Sequence, residues 1–149
     1  MISITKGVWT MDITNVALSK ATIQTNHLLN NIQAFKNLLA EDTKLMAVVK
    51  ADAYSHGAVS LSREMEAHRA ADYFGVAQLS EALSLREAGI ETPILIFNAV
   101  RPQEIEYAVE QEITMTVFTS ELASLIGQHA ERLEKEATVH IKIDTGMHR

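Results

Sequence analysis

The stretch MAVVKADAYSHG, residues 46–57, begins as an apolar run and changes character within one residue. Met46 to Val49 read as a short buried strand, since a few consecutive apolar residues bounded by turn signals suit a strand covered on both faces. Lys50 ends the run, and Asp52, Tyr54, Ser55, His56 and Gly57 follow at once. Side chains alternate along a strand, so Met46, Val48 and Lys50 share one face. A strand that simply stopped at the surface would need none of this polar detail.

Working outward, the same kind of apolar run recurs as LMAVV (45–49), YFGVA (73–77), PILIF (93–97), TMTVF (114–118) and TVHIKI (138–143). Segments of helical length and spacing lie between the runs. One follows the cap-like pair Thr119-Ser120 and carries Leu122, Leu125, Ile126 and Leu133. Another begins at Pro102 and ends near Gln111, and LSEALSLREAG closes on Gly89. Alternating strands and helices predict an α/β fold with parallel strands and right-handed crossovers, either a (β/α) barrel or a doubly wound sheet. A complete barrel needs eight units and about 250 residues. From Leu45 to Arg149 there are five strands, so the barrel reading is of an incomplete barrel, about five of eight units, in a chain that looks cut.

Upstream, residues 21–44 hold a short strand near Ala21 to Gln24 and a helix bearing Leu28, Leu29, Ile32, Phe35, Leu38 and Leu39. Residues 1–20 show no clear period and stay unassigned. A chain of 149 residues suits one domain able to bury about 70% of its unfolded surface. With 13 Lys and Arg against 19 Asp and Glu, the net charge of -6 offers no basic field for nucleic acid. Cysteine is absent, which excludes disulfides and thiolate chemistry. No secretory signal or span of eighteen apolar residues is present, so no membrane role and a cytoplasmic setting are expected.

Alternation in TVHIKID (138–144) places Val139, Ile141 and Ile143 on an outer face for covering helices, and His140, Lys142 and Asp144 on an inner one. Polar residues inside a barrel generally build a site, because unpaired buried polar groups cost several kcal/mol. Lys50 would stand at the carboxyl end of its strand, where barrels place their chemistry. Partial desolvation there would favour a neutral amine, the form that makes a Schiff base with an aldehyde. The residues alone leave a lysine snorkelling at a strand exit open as well, and an inward salt bridge for Lys142. They also leave open a plain turn at Gly57 and a mere cap for the next helix at Ser55 and His56. The six histidines show no paired ligand spacing, so no metal is expected.

AVVKADAYSHGA (47–58) closely resembles the cofactor-lysine motif of the alanine racemases, pyridoxal-phosphate enzymes whose usual pattern is AVVKADAYGHG. HIKIDTGMHR (140–149) resembles the second signature of that family, and FGVAQLSEALSLREAGIETPILIF (74–97) matches it in order and spacing. The resemblance implies an N-terminal (β/α)8 barrel, whose first part would be residues 45–149, with a C-terminal β domain absent and the strand near Ala21 belonging to that domain. It implies pyridoxal 5'-phosphate held by Lys50, with Tyr54 on the cofactor phosphate. Arg149 would help to hold the substrate carboxylate, and Lys142 matches a lysine often carbamylated in the family. A carbamate there reverses the charge that would otherwise repel Arg149.

The implied activity is racemisation of L- and D-alanine for peptidoglycan precursors, by two-base proton transfer in a homodimer. Lys50 would serve the D-enantiomer and a tyrosine of the partner's C-terminal domain the other; Tyr73 and Tyr107 do not match that tyrosine. A serine or broad-spectrum racemase, and a non-catalytic cofactor-binding remnant, are the alternatives. Little activity is expected of these 149 residues alone. Ser55 departs from the family pattern, where glycine is usual, and residues 1–20 do not match the family start.

Overall fold

The computed structural model describes residues 2–5, 8–11 and 22–148, the first two segments by their backbone alone. Strands β1 (Ile2–Thr5) and β2 (Val8–Met11) pair antiparallel, giving regular structure where no period was legible. Helix α1 (Thr25–Lys36) follows; residues 22–24 before it form no strand, although Gln24 is extended. A strand exists only by pairing, and residues 22–24 pair with no other described segment. Of the apolar stripe on α1, Ile32 is buried, while Phe35 and the following Leu38 remain exposed.

The other elements form the predicted β/α alternation. They are β3 (Met46–Val48), the short turn α2 (Lys50–Ser55), α3 (Ala58–Ala67), β4 (Tyr73–Val76), α4 (Leu79–Glu87) and β5 (Ile94–Ile96). A 3-10 turn at Pro102–Glu104 leads into α5 (Ile105–Glu110), then β6 (Thr114–Val117), α6 (Ser120–Arg132) and β7 (Val139–Ile141). Thr119 caps α6 as expected, its hydroxyl oxygen accepting the Leu122 N–H at 3.2 Å.

All five strands from β3 to β7 are parallel, and each pairs with the next in sequence. A doubly wound sheet reverses its strand order at a switch point, whereas a barrel does not. The sheet also curls. The Tyr73 and His140 ring centroids lie 6.4 Å apart, on strands β4 and β7. Three flat strand spacings would separate them by about 14 Å. The architecture is therefore the barrel type, with five parallel strands.

Outward side chains carry the core. Phe74, Val76, Ile94, Ile96 and Met115 are almost fully buried beneath the helices, each contributing roughly 1.5–3 kcal/mol. The inward face mixes characters: Leu95 and Thr116 lie there, and the Thr116 hydroxyl donates to the Ile96 carbonyl at 2.6 Å. Gly75 also faces inward, where an added Cβ would overlap the Phe97 ring. The outer face of β7 differs from expectation. Ile141 is 75% exposed, because no described helix follows β7 to cover it.

Four helices end alike. After α3, α4, α5 and α6, the residues Arg69, Gly89, Glu112 and Glu134 take positive φ of 49°, 83°, 53° and 53°. The next N–H then reaches back five residues, as from Ala70 to Met65 at 2.7 Å and from Ile113 to Ala108 at 2.8 Å. Basic side chains bolt these ends together. Lys36 donates to the Arg69 carbonyl, Arg63 to Ala88, Arg86 to Ile90, Thr92 and Gln111, and Lys135 to Glu110. This end of the barrel is built for stability.

Candidate active site

At the opposite end, where the strands finish, the backbone after β3 does something costly. Ala51, Asp52, Ala53 and Tyr54 all take left-handed helical angles, φ 50–55° and ψ 45–49°, and Ser55 follows at φ 67°. Five successive non-glycine residues in this region cost about 1–2 kcal/mol each. Strain on that scale is comparable to the net stability of a domain, and such strain collects at functional sites.

Local hydrogen bonds close the turn. The Ala53 N–H donates to the Val49 carbonyl at 2.9 Å and the Gly57 N–H to the Asp52 carbonyl at 3.0 Å. The Asp52 carboxylate accepts the Ala58 N–H at 2.7 Å, so Asp52 caps α3. The cap from Ser55 or His56 does not form; Gly57 occupies that position at φ 90° and His56 turns back to the Ala53 carbonyl. A left-handed turn aims the short Asp52 side chain at the next helix start and carries Tyr54 outward, 56% exposed.

Lys50 and Tyr54 thereby line a cavity of about 570 Å³. Its other walls come from Ala77 after β4, Phe97 and Asn98 after β5, and Lys142 to Thr145 after β7. Residues flanking β3 and β7 share this cavity, although four flat strand spacings would hold them about 19 Å apart. Asp144 shapes the β7 side. Its carboxylate accepts the Gly146 N–H at 2.9 Å and the His148 N–H at 3.0 Å, and these bonds hold it below the usual aspartate pKa. Two lysines against the one Asp144 carboxylate leave the lining with a positive balance, in a chain whose net charge is -6.

Three of the four site residues read from sequence, Lys50, Tyr54 and Lys142, thus meet on one cavity, and Arg149 lies outside the described residues. Ile143, assigned to the outer face, joins the cavity wall because strand alternation ends at Ile141. Tyr73 and Tyr107 are not on it; Tyr73 begins β4 and packs under Lys44, and Tyr107 is exposed on α5. Phe97 and Asn98 went unread as wall residues, since each is unremarkable in its own segment, whereas Asp144, read on the inner face, does lie on the wall. The glycine inside YFGVA was the available signal for Phe97, because glycine in a strand marks a close approach.

The donor set suits pyridoxal phosphate: an amine for its aldehyde, a tyrosine hydroxyl for an anionic group, and an aromatic wall. The volume falls in the ordinary range for cofactor sites, about 300–1,000 Å³.

Comparison with known proteins agrees in fold and in sequence. Residues 23–149 match the family described as alanine racemase, N-terminal domain. An alanine racemase of Oceanobacillus iheyensis is 49% identical over 120 residues, covering 80% of this chain and 30% of that protein. The solved alanine racemase of Clostridium difficile superposes with a TM-score of 0.78 at 43% identity, over 84% of this chain and 32% of the other. A histidine racemase from Leuconostoc mesenteroides gives 0.75 at 29% identity, over 84% and 33%. The chain spans about a third of the length of the curated relatives it matches, 30–37% in the first three. By the extent of that match and by its strand order, the chain belongs to the alanine racemase N-terminal domain family.

Proposed function

We propose that this chain forms the cofactor-holding part of an amino-acid racemase that uses pyridoxal 5'-phosphate and takes alanine, in a cytoplasmic route to peptidoglycan precursors. One observation carries the reading: Lys50, Tyr54 and Lys142 converge on a single cavity at the carboxyl ends of the strands. Within that reading, residues 45–149 are the first part of the barrel, and residues 21–44 lead into it.

Pyridoxal phosphate, when bound, draws electrons from an attached amino acid and makes its α-proton acidic. Lys50 would hold the cofactor through its amine and would take or return the proton at Cα on one face. Tyr54 donates its hydroxyl to the phosphate. Lys142 orients Arg149 for the substrate carboxylate when carbamylated, since a carbamate accepts the guanidinium's paired N–H groups. Racemisation also needs a base on the opposite face. The family resemblance assigns that second base to a tyrosine from the C-terminal domain of a partner subunit in a homodimer, and among the described residues Tyr54 is the only tyrosine that lines the cavity.

Incubation of the chain with pyridoxal phosphate, borohydride reduction and peptide mapping test this directly. The adduct is expected on Lys50 and is expected to vanish in Lys50→Ala. An adduct surviving that substitution, or racemisation by the 149-residue chain alone at an enzyme-like rate, would overturn the reading. Similarity to a histidine racemase gives a second reading, in which the same machinery takes a different side chain. Racemisation of an amino-acid panel by the full-length protein separates the two.

A further inference from the structure

The left-handed turn after Lys50 is held from within by bonds between near neighbours, and at its root the Val49 N–H donates to the Gly75 carbonyl of β4 at 2.9 Å. From beyond Lys50, one further bond reaches across to α4. The Ala51 N–H donates to Glu81 Oε1 at 2.7 Å, across thirty residues of sequence. The other oxygen, Oε2, accepts the Ala77 N–H at 2.6 Å and the Gln78 N–H at 3.2 Å. Glu81 sits in the first turn of α4, where the helix dipole favours a carboxylate.

Capping α4 requires only the oxygen facing Gln78. The equivalent residue of the next unit, Glu104, does that and no more: its Oε2 accepts the Arg101 N–H at 2.8 Å, and its other contact is the Arg101 guanidinium. Glu81 spends its second oxygen on the peptide that immediately follows Lys50. That peptide plane sets the backbone direction in which the Lys50 side chain leaves the strand. The same carboxylate grips Ala77, itself part of the cavity wall.

We propose that Glu81 is a positioning residue for Lys50, a carboxylate clamp that locks the strained turn to the end of β4 and so aims the amine into the cavity. The assignment rests on Lys50 being the cofactor lysine. Glu81 does not line the cavity that holds Lys50. Its effect is on the orientation of an amine whose backbone would otherwise relax toward ordinary angles.

The test compares Glu81→Gln and Glu81→Ala with Glu104→Ala, a capping carboxylate with no contact to the turn. Glutamine preserves shape but has one acceptor oxygen, so it cannot serve both peptides. Hydrogen exchange without cofactor should accelerate at least about tenfold across residues 51–55 in both Glu81 variants. Glu104→Ala should leave that segment unchanged, and all three variants should keep the β5 amides protected. Unchanged exchange at 51–55, or protection lost across β5 together with the turn in both Glu81 variants, would overturn the proposal.

In the second arm, pyridoxal phosphate is titrated and the induced circular dichroism of the bound chromophore is recorded. Both Glu81 variants should bind about tenfold more weakly, with dichroism reduced per bound chromophore; Glu104→Ala should match the parent. Undiminished dichroism would count against positioning. Absence of any adduct in the parent chain would instead sink the cofactor reading, leaving hydrogen exchange to judge the clamp.

Discussion

Ser55 shows how one residue can report on a site. Its φ of 67° places it in the region that glycine enters freely and a serine enters at a cost. The family pattern has glycine there, and the structure supplies the reason: Ser55 is the fifth residue of the left-handed turn. Ser55→Gly should stabilise the chain by about 0.5–1 kcal/mol, the relief of strain less the added unfolded-state entropy. A urea melt checks this, and a lower midpoint would mean that the hydroxyl makes up for the strain. The four residues before Ser55 have no such remedy that keeps their side chains. Tyr54 and Asp52 are required as a cavity wall and a helix cap, so the turn keeps its strain at those positions.

Among the elements, the shared ending of four helices matters most for stability. Only Gly89 among the four positive-φ cap residues is glycine; Arg69, Glu112 and Glu134 adopt the same geometry at a cost. Each is held by the bond that reaches back five residues, as from Lys135 to Ala130 at 3.0 Å. The Glu134 side chain is exposed and makes no hydrogen bond among those found in the described residues. Glu134→Gly should therefore stabilise by about 0.5–1 kcal/mol, read as a rise in the thermal midpoint. Glu112 is a poorer choice, because its charge lies near the Arg86 guanidinium and supports it. Gly89 announces its cap in the sequence, while the other three emerge only from backbone angles.

For the molecule as a whole, the two ends of the barrel divide stability from chemistry. Glu66 belongs to the stable end. It accepts hydrogen bonds from the Thr92 N–H at 2.6 Å, the Thr92 hydroxyl at 2.7 Å and the Glu91 N–H at 2.9 Å. Burial pushes its carboxyl up, but these bonds and the Arg86 charge outweigh burial and leave it below the usual glutamate value. A folded-state pKa below the unfolded one means the stabilisation is full above the unfolded value, near 4.5, and is lost as pH falls through the folded value. Glu66→Gln should flatten stability against pH in that acid window and leave its slope near neutrality unchanged. Denaturant melts from pH 3 to pH 7 would show it; an unchanged acid slope would mean that other carboxylates carry it. At the other end the cavity opens, and the apolar side chains of β7 stay uncovered.

Much of this was already settled by local chemistry. Strand positions, the barrel-like alternation, the caps at Thr119 and Gly89, and the candidacy of Lys50 follow from hydrophobic period, turn residues and motif spacing, which act over a few residues at a time. The tertiary structure decided what depends on distant parts of the chain. Strand order and curl bring Lys142 to the cavity of Lys50, ninety-odd residues earlier, and the turn of five left-handed residues is bonded to a carboxylate thirty positions away. MAVVKADAYSHG names the candidate lysine. The bond from the next peptide to Glu81 is a contact that no local pattern encodes.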